Sequence, residues 1–472
     1  MKYDVVRPNV SNFVKSLRDM GYTFEIAVAD VLDNSISAKA LNIHIDMGGT
    51  KGLHLALLDD GTGMSEKELI EAMRLGSKDP DSNRSKNDLG RFGLGLKTAS
   101  FSQAKKLTVI TKYNDQVFSR QWDLDFISKS DDWNLITPTE ANIKKFPLYK
   151  ELLEQKSGTL VIWQSIDTVN KDHITETIYS LREHLSLVFH RFLEGEILRK
   201  RLNISVNGKP LLPFNPFNEK NSNTQWITEQ KIKIEKHTII VQPYILPHYS
   251  KLSNGEYEKY ATEEGYTKTQ GFYLYREGRL LIHGTWWGLT KMADEHRLVR
   301  IKVDIKNEQD YLWNIDVKKS TASPDKRIKE ELRLILNQVL QRGKRVYTGR
   351  KEKLQDRVET KFWNVHLTDN EINFTINRNH PLQEHLLKTL DVEQQELFES
   401  YIKGLEAFIP LFDIQAHLIE EPHKVQQEDL ISDEDILNLA EQLKAMNLNE
   451  DYIQAFLKTE LFKNKKEVLT YE

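Results

Sequence analysis

The amino-acid sequence predicts an α+β fold, in which helices pack on a mixed but mostly antiparallel sheet. Three strand-like runs, KKLTVITKYN, QVFSRQWDLD and GTLVIWQSID, follow one another between residues 105 and 167. Strands that succeed each other without long crossover helices favour antiparallel pairing. Helical patterns lie before these runs, and the last quarter of the chain has mostly helical patterns.

Composition limits the class of protein. The 472 residues are enough for two to four domains with a large core. The net charge of −4 means that any contact with nucleic acid must come from a local basic patch. The absence of cysteine excludes disulfides and thiolate metal sites. No apolar run approaches the ~18 residues of a membrane span, and the start has no signal-peptide pattern, so we expect a cytoplasmic protein without membrane contact.

The first predicted domain covers residues 1–170. Its runs LNIHIDMG and GLHLALLDDGTGM are short, apolar or alternating, and end in glycine-rich turns, so they predict strands. The run EKELIEAMRLGS predicts a helix that begins after Ser65.

Two further regions follow. Residues 171–354 contain a long helical pattern, a hairpin with Asn207-Gly208 at its turn, further strands and a helical stretch from Lys326. Residues 355–472 are predicted to be mostly helical, with no assigned role.

A predicted helix at 27–40, AVADVLDNSISAKA, carries unusual polar residues. Its apolar face is formed by Val28, Val31, Leu32 and Ile36. Asp30, Asp33 and Asn34 lie within five positions, more than packing alone requires. An amide oxygen at Asn34 suits Mg²⁺. Asp30 lies one turn earlier on the same face, where it could orient or deprotonate a water.

Glycine-rich segments supply the other parts of a nucleotide site. In LLDDGTGMS, Asp59 ends a strand and can accept a hydrogen bond from an exocyclic amine such as adenine N6. Gly61 and Gly63 let the backbone pass close to a flat ring. In LGRFGLGLKTAS, a glycine-rich loop leads into a helix and offers N–H groups to phosphates. In SGTLVIW, Thr159 opens a strand.

Each of these motifs alone is often an ordinary turn or a helix surface. All four occur in order, each at a predicted strand or helix edge, and together they indicate nucleotide binding.

The four motifs resemble those of the GHKL ATPases, which include gyrase B, the large heat-shock chaperone, histidine kinases and MutL. DNSISAKA, DDGTGM, LGRFGLGLK and SGTLVIW are most similar to the MutL and MORC branch, particularly its prokaryotic MORC-like members. The resemblance covers residues 1 to about 165 and extends to about 350. It implies a GHKL (Bergerat) ATPase sandwich followed by a βαβ transducer domain.

The resemblance assigns roles to individual residues. Asp30 occupies the position of the general base, where relatives usually have Glu, and Asn34 that of the Mg²⁺ ligand. Asp59 resembles the adenine-reading carboxylate, with Thr159 sharing its bridging water. The adenine pocket would contain Gly61, Gly63 and Met64. The phosphate lid would contain Ser77, Lys78, Gly90, Gly93, Gly95 and Lys97.

Two further expectations concern turnover. Because Asp30 is one methylene shorter than Glu, we expect intact ATP binding and slow hydrolysis. The switch lysine of the transducer resembles Lys319 in WNIDVKKSTASPDKRIKEEL, with Lys318 as the alternative. A cation there would neutralise charge on the γ-phosphate. The other interpretation is a solvated lysine pair at a strand end.

The predicted function is a slow ATPase that needs ATP and Mg²⁺ and acts as an ATP-gated clamp or switch. The resemblance implies a homodimer formed through the ATPase domains when ATP is bound, with partner proteins in DNA-linked antiviral defence. A nucleotide-gated scaffold without turnover and a chaperone-like ATPase are the alternatives. The basic run RGKRVYTGRKEK at 342–353 either follows a DNA backbone or is a solvated helix end.

Overall fold

The computed structural model describes residues 4, 9–49, 52–76, 95–198, 200–262, 265–316, 321–348, 360–367, 372–420, 425, 427, 430–446 and 450–462. The chain divides into two compact units. The first comprises residues 1–247 and 259–343, and the second comprises residues 248–258 and 344–472.

A mixed sheet forms the first layer of the first unit. Its described strands are β1 (Asn42–Gly48), β2 (His54–Asp59), β3 (Ala104–Tyr113), β4 (Gln116–Asp123), β5 (Gly158–Ile166), β6 (Asn203–Val206) and β7 (Lys209–Pro210). They are ordered β4-β3-β5-β2-β1-β6-β7. The β1–β6 pair is parallel, and the other described pairs are antiparallel. The predicted α+β class with a mostly antiparallel sheet is confirmed. β6 and β7 come from beyond residue 170, so this sheet extends past the first predicted domain.

Helices accompany this sheet. They are α1 (Val10–Arg18), α2 (Phe24–Ser37), α3 (Glu66–Met73), α4 (Gly95–Gln103), α5 (Leu124–Ser130), α6 (Glu140–Ile143), α7 (Tyr149–Glu154), α8 (Ile174–Val188) and α9 (His190–Glu194). The predicted start of α3 is confirmed, because Ser65 and Glu68 form a capping box there. α2 packs against α4 and α8. The predicted apolar face of α2, which includes Val28 and Leu32, is buried in the core.

A second sheet lies in the same unit. Its described strands are β8 (Gln225–Trp226), β9 (Gln230–Ile234), β10 (His237–Ile245), β11 (Gly271–Arg276), β12 (Arg279–Thr285) and β13 (Val299–Ile305). The order is β12-β11-β13-β10-β8, with β9 paired to β10 and β11 parallel to β13. The predicted hairpin with Asn207-Gly208 at its turn is also confirmed, but it joins the first sheet.

Further helices occur along residues 254–348: α10 (Asn254–Ala261), α11 (Gly265–Lys268) and α12 (Lys326–Thr348). Short 3-10 helices occur at Lys171–His173, Tyr249–Lys251, Asp294–His296 and Asn307–Leu312. The second sheet and α12 share a core that includes Trp313, Ile328 and Leu332.

The second unit contains a hairpin and helices. Its described elements beyond residue 359 are β14 (Trp363–Leu367), β15 (Ile372–Ile376), α13 (Pro381–Thr389), α14 (Val392–Ala407), α15 (Leu411–Glu420), α16 (Asp433–Ala445) and α17 (Glu450–Leu457). A small core forms around Leu443, Phe456 and Phe462. The predicted helical character of this region is confirmed. Within the described part of the chain, none of the helices combines the length and apolar composition needed to cross a bilayer.

Candidate functional site

Helix α2 carries both buried and exposed polar side chains. Thr23 caps its N-terminus by accepting a hydrogen bond from the backbone N–H of Ile26. Asp30 and Asp33 are buried, whereas Asn34 is exposed. The Asn34 side-chain amide nitrogen donates to the Asp30 carbonyl, 3.2 Å away. Because that bond uses the nitrogen, the amide oxygen is the atom of Asn34 that a metal would take.

Asp59 ends β2 beside α2 and is only 3% exposed. One carboxylate oxygen accepts the Gly61 N–H at 2.9 Å, and the other accepts the Ser35 hydroxyl at 2.8 Å. Burial raises the pKa of Asp59 to about 6, although hydrogen bonds from Ser35, Gly61 and Thr159 act in the opposite direction. The fold therefore holds an oriented carboxyl group at considerable electrostatic cost, which is typical of a group kept for recognition.

The other predicted pocket residues lie around Asp59. Thr159 is opposite Asp59 in the β2–β5 register. The Thr159 hydroxyl is 3.3 Å from the Thr111 hydroxyl, which also accepts the Met64 N–H at 2.9 Å. Gly63 has a φ of +66°, and a Cβ there would be 2.1 Å from a backbone oxygen of β3. This close approach of the backbone requires glycine. The structure thus brings Gly63, Met64 and Thr159 close to Asp59.

The predicted lid is described only at its C-terminal end. Gly95 opens α4. Lys97 is 2% exposed, and its ammonium group donates to the carbonyl of Ala72 at 3.0 Å. Its predicted contact with phosphates remains a prediction. The other predicted lid residues, Ser77, Lys78, Gly90 and Gly93, lie outside the described residues.

Asp30 contacts the second sheet. Arg279, the first residue of β12, places Nη2 3.2 Å from Asp30 Oδ1 and Nε 2.8 Å from Asp33 Oδ1. The Tyr22 hydroxyl donates to Asp30 Oδ2 at 3.2 Å. Burial, followed by the charge of Asp30, raises the pKa of Tyr22 above its ordinary value, so the phenol remains protonated and able to donate.

The predicted switch lysine, Lys319, and its alternative, Lys318, also lie outside the described residues. The residues on either side are joined by hydrogen bonds. The Asp316 N–H donates to the Thr321 carbonyl, and the Thr321 N–H donates to the Asp316 carboxylate, both at 3.1 Å. Asp316 also contributes to the raised pKa of Tyr22, so its charge acts close to the partner of Asp30.

Sequence reasoning missed four residues of this region. Ser35 and Thr111 bond the pocket, and Tyr22 and Arg279 bond Asp30. Ser35 had a signal, since it is a polar residue directly beside Asn34 in the same predicted helix. Arg279 also had one, because it interrupts the apolar run of the GFYLYREGRLLI hairpin. A buried charge requires a partner, but the sequence does not show that the partner is in another layer.

Comparisons with known proteins concern the first part of the chain. Residues 22–159 match the family described as Histidine kinase-, DNA gyrase B-, and HSP90-like ATPase. The chain is also similar to ATPase morc-1 of Caenorhabditis elegans, with 33% identity over 102 residues. The aligned segment covers 21% of this chain and 12% of that protein. Asp30, Asn34 and Asp59 all lie in the matched range, whereas Arg279 lies beyond it. The comparisons thus support, for residues 22–159, the coarse resemblance to GHKL-type ATPases that the motifs predicted.

Proposed function

We propose that the chain binds ATP at the site formed by α2, the end of β2 and the start of β5, and hydrolyses it slowly. The observation that carries the proposal is Asp59, a buried carboxylate held by Ser35 and Gly61 at a strand end. Its oxygens accept hydrogen bonds from Ser35, Gly61 and Thr159, and a carboxylate has a further lone pair to which an adenine amine could donate. The close backbone at Gly63 is consistent with a flat ring beside it.

Mg²⁺ fits Asn34. Its side chain is exposed on a helix whose neighbouring positions are buried. Within the described ranges, no group of three or more His, Asp or Glu side chains is placed to hold a metal ion. An ion at Asn34 would therefore take its other ligands from phosphate oxygens and water, as Mg²⁺ commonly does. Bound there, it would neutralise charge on the phosphates.

Asp30 is the proposed general base for hydrolysis. It lies on α2 one turn before Asn34, and its backbone carbonyl bonds Asn34 directly. Its carboxylate is bonded by Tyr22 and Arg279. Because Asp is one methylene shorter than Glu, its carboxylate reaches less far toward an attacking water, which supports slow turnover. Lys319 remains the proposed γ-phosphate sensor, with Lys318 as the alternative.

The finer proposal concerns the biological output. We propose an ATP-gated homodimer that acts as a clamp or switch with partner proteins in DNA-linked antiviral defence. Its support is the motif resemblance to MORC-like and MutL-like proteins and the partial similarity to ATPase morc-1. Light scattering of the full chain with ADP, and with a non-hydrolysable ATP analogue, tests the dimer. A monomer in both states would refute it.

A second candidate function is a nucleotide-gated scaffold that binds ATP without turnover. The observation in its favour is that Asp30 is buried and bonded at both oxygens. The two candidate functions differ only in whether bound ATP is hydrolysed, so an assay of phosphate release separates them.

The experiment has two steps. Calorimetry is done with ATP and with GTP, each with and without Mg²⁺. Of these four conditions, only ATP together with Mg²⁺ should show tight binding. Steady-state phosphate release should then show slow turnover. Equal affinity for ATP and GTP would refute the adenine site. ATP binding without phosphate release would favour the scaffold.

A further inference from the structure

The β11–β12 hairpin presents two buried arginines to different partners. Its two-residue turn, Glu277-Gly278, has positive φ at both positions, as a tight I′ turn requires. A Cβ at Gly278 would lie 2.5 Å from the side chain of Ile197, so the turn is packed closely against that residue. Arg276 precedes the turn and Arg279 follows it, each at most 4% exposed.

Arg276 and Arg279 anchor the hairpin in different ways. Arg276 forms two hydrogen bonds, of 2.7 and 2.8 Å, with the carboxylate of Asp310. That pair lies within the second-sheet layer. Arg279 instead leaves its own layer and reaches Asp30 and Asp33 on α2. Among the contacts between described residues, Arg279 is thus the arginine of this hairpin that bonds α2.

Arg279 lies between two carboxylates that are one turn apart on α2. The side chains of Asp30 and Asp33 are each 1% exposed, and that of Arg279 is 4% exposed. Its guanidinium is also 5.8 Å from the centre of the Phe189 ring. Its Nη2 donates a hydrogen bond to Asp30, whereas its contact with Asp33 is an ion pair, so the buried guanidinium is held between two fixed charges.

Tyr22 and Arg279 bond different carboxylate oxygens of Asp30. The Tyr22 hydroxyl bonds Oδ2, while Arg279 bonds Oδ1. Tyr22 is itself fixed, since its carbonyl accepts a hydrogen bond from the Gln103 side chain at 3.1 Å. The two contacts restrain rotation of the carboxylate about its side-chain bonds.

The neighbouring histidine does not replace Arg279 as the cation. Burial, and then the charges of Arg279 and His283, lower the pKa of His184 to about 3. His184 is thus neutral at physiological pH.

We infer that Arg279 is a positioning residue for hydrolysis: it orients the short carboxylate of Asp30 and makes that orientation depend on the docking of the second sheet against α2. The inference rests on the proposed function, in which Asp30 is the general base. A side chain one methylene shorter than Glu relies more on external contacts for its direction. Arg279 provides one such contact from outside the matched ATPase domain, so the second sheet acts directly on the base.

Substitution of Arg279 tests the inference. Phosphate release gives kcat and KM, and calorimetry gives ATP affinity, for the full chain and for Arg279→Gln and Arg279→Lys. We expect Arg279→Gln to lower kcat roughly tenfold to a hundredfold, the scale of a misplaced catalytic group, with ATP affinity nearly unchanged. Arg279→Lys should recover part of the rate, because it retains the charge.

Arg276→Gln is the matched control. It also removes a buried guanidinium from the same hairpin, but one that bonds Asp310 rather than α2. Its kcat should stay within about threefold of the unsubstituted protein when compared at a temperature where both are folded. If the two glutamine variants lose kcat and ATP affinity together and equally, the role of Arg279 is structural and the inference is overturned.

A double variant keeps the test decisive. If Arg279 acts through Asp30, adding Arg279→Gln to Asp30→Asn should cause no further loss of the residual hydrolysis rate, measured in single turnover with the protein in excess over ATP. An independent further loss would contradict the inference, and so would an unchanged or faster Arg279→Gln. A faster variant would mean that Arg279 restrains the base. An unsubstituted chain that binds ATP without releasing phosphate would refute the proposed hydrolysis first, and the inference with it, before any variant is compared.

Discussion

Asp59→Asn should make the nucleotide-free protein more stable and bind ATP more weakly. Asp59 has an ordinary pKa of 3.8, which burial raises to about 6 in the folded protein. The folded state therefore holds this proton more tightly than the unfolded chain. The stability that Asp59 contributes below pH 3.8 is lost as the pH rises through 6. At about 1.4 kcal/mol per pKa unit, the ionised carboxylate lowers the free energy of unfolding at pH 7 by about 3 kcal/mol.

The asparagine variant removes that charge and keeps the shape. Its amide oxygen can still accept the Gly61 N–H, and the Ser35 hydroxyl can rotate to accept from its amide nitrogen. At pH 7 we expect a gain that approaches about 3 kcal/mol in the free energy of unfolding. About half of that gain should remain at pH 5 and little at pH 4, because the native carboxyl is then increasingly protonated.

Two measurements check this prediction. Denaturant unfolding followed by tryptophan fluorescence at pH 4, 5 and 7 gives the stability. Calorimetry gives ATP affinity, which should fall more than tenfold, since a hydrogen bond to a charged group contributes about 1.5–3 kcal/mol. Asp59→Ala should weaken binding by at least as much. Wild-type ATP affinity in both variants would reject the adenine assignment. A stability change that does not vary with pH would reject buried charge as its cause.

Asp60→Asn is the matched control. The Asp60 carboxylate accepts the backbone N–H groups of Leu41 and Asn42 at 2.7 and 2.9 Å, and the Asn42 side chain at 2.7 Å. It therefore fixes the start of β1. Removal of its charge should lower stability by about 1 kcal/mol and leave ATP affinity unchanged.

Substitutions at Asn34, at Asp30 and at the lysine pair separate binding from chemistry, and a substitution at Gly63 tests the backbone. Asn34→Ala should remove the Mg²⁺-dependent part of ATP binding; calorimetry that shows the same Mg²⁺ effect as wild type would exclude Asn34 as the ligand. Asp30→Ala should bind ATP but abolish phosphate release and trap any closed dimer, while Asp30→Glu should accelerate release if side-chain reach limits turnover. An Asp30→Ala protein that hydrolyses ATP at the wild-type rate would assign the base elsewhere. Lys319→Ala should reduce hydrolysis strongly with little effect on ADP affinity and should remove ATP-dependent compaction in small-angle scattering; equal, mild effects of Lys319→Ala and Lys318→Ala would place the γ-phosphate sensor elsewhere. Gly63→Ala should lower ATP affinity and stability, by about 1 kcal/mol or more, because the new Cβ would meet a backbone oxygen at 2.1 Å with φ at +66°; unchanged unfolding would contradict this.

Much of the fold could be predicted from local patterns. Alternating and apolar runs predicted many strands of the two sheets, though not β8 and β9, Ser65 predicted the start of α3, and Asn207-Gly208 predicted a hairpin. These features depend on neighbours in the chain, so the sequence contains the information that decides them. The hairpin's place in the first sheet could not be predicted in the same way. It depends on β6 pairing in parallel with β1, about 160 residues earlier.

For the candidate site too, the sequence predicted features within single motifs but not the contacts between distant segments. By itself, the sequence determined the residues that lie within single motifs: Asp30 and Asn34 on one helix, and Asp59, Gly61 and Gly63 at one strand end. Their mutual placement follows from helix and strand geometry over a few residues.

Only the tertiary structure decided what surrounds Asp30 and Asp59. The Ser35 hydroxyl reaches Asp59 across 24 positions of the chain, and Arg279 reaches Asp30 across 249. Such contacts exist because a buried carboxylate must find donors wherever the packed layers bring them, and sequence distance has no part in that requirement. Short motifs therefore predicted the chemistry of the candidate site, whereas the groups that bond its carboxylates could be identified only from the tertiary structure.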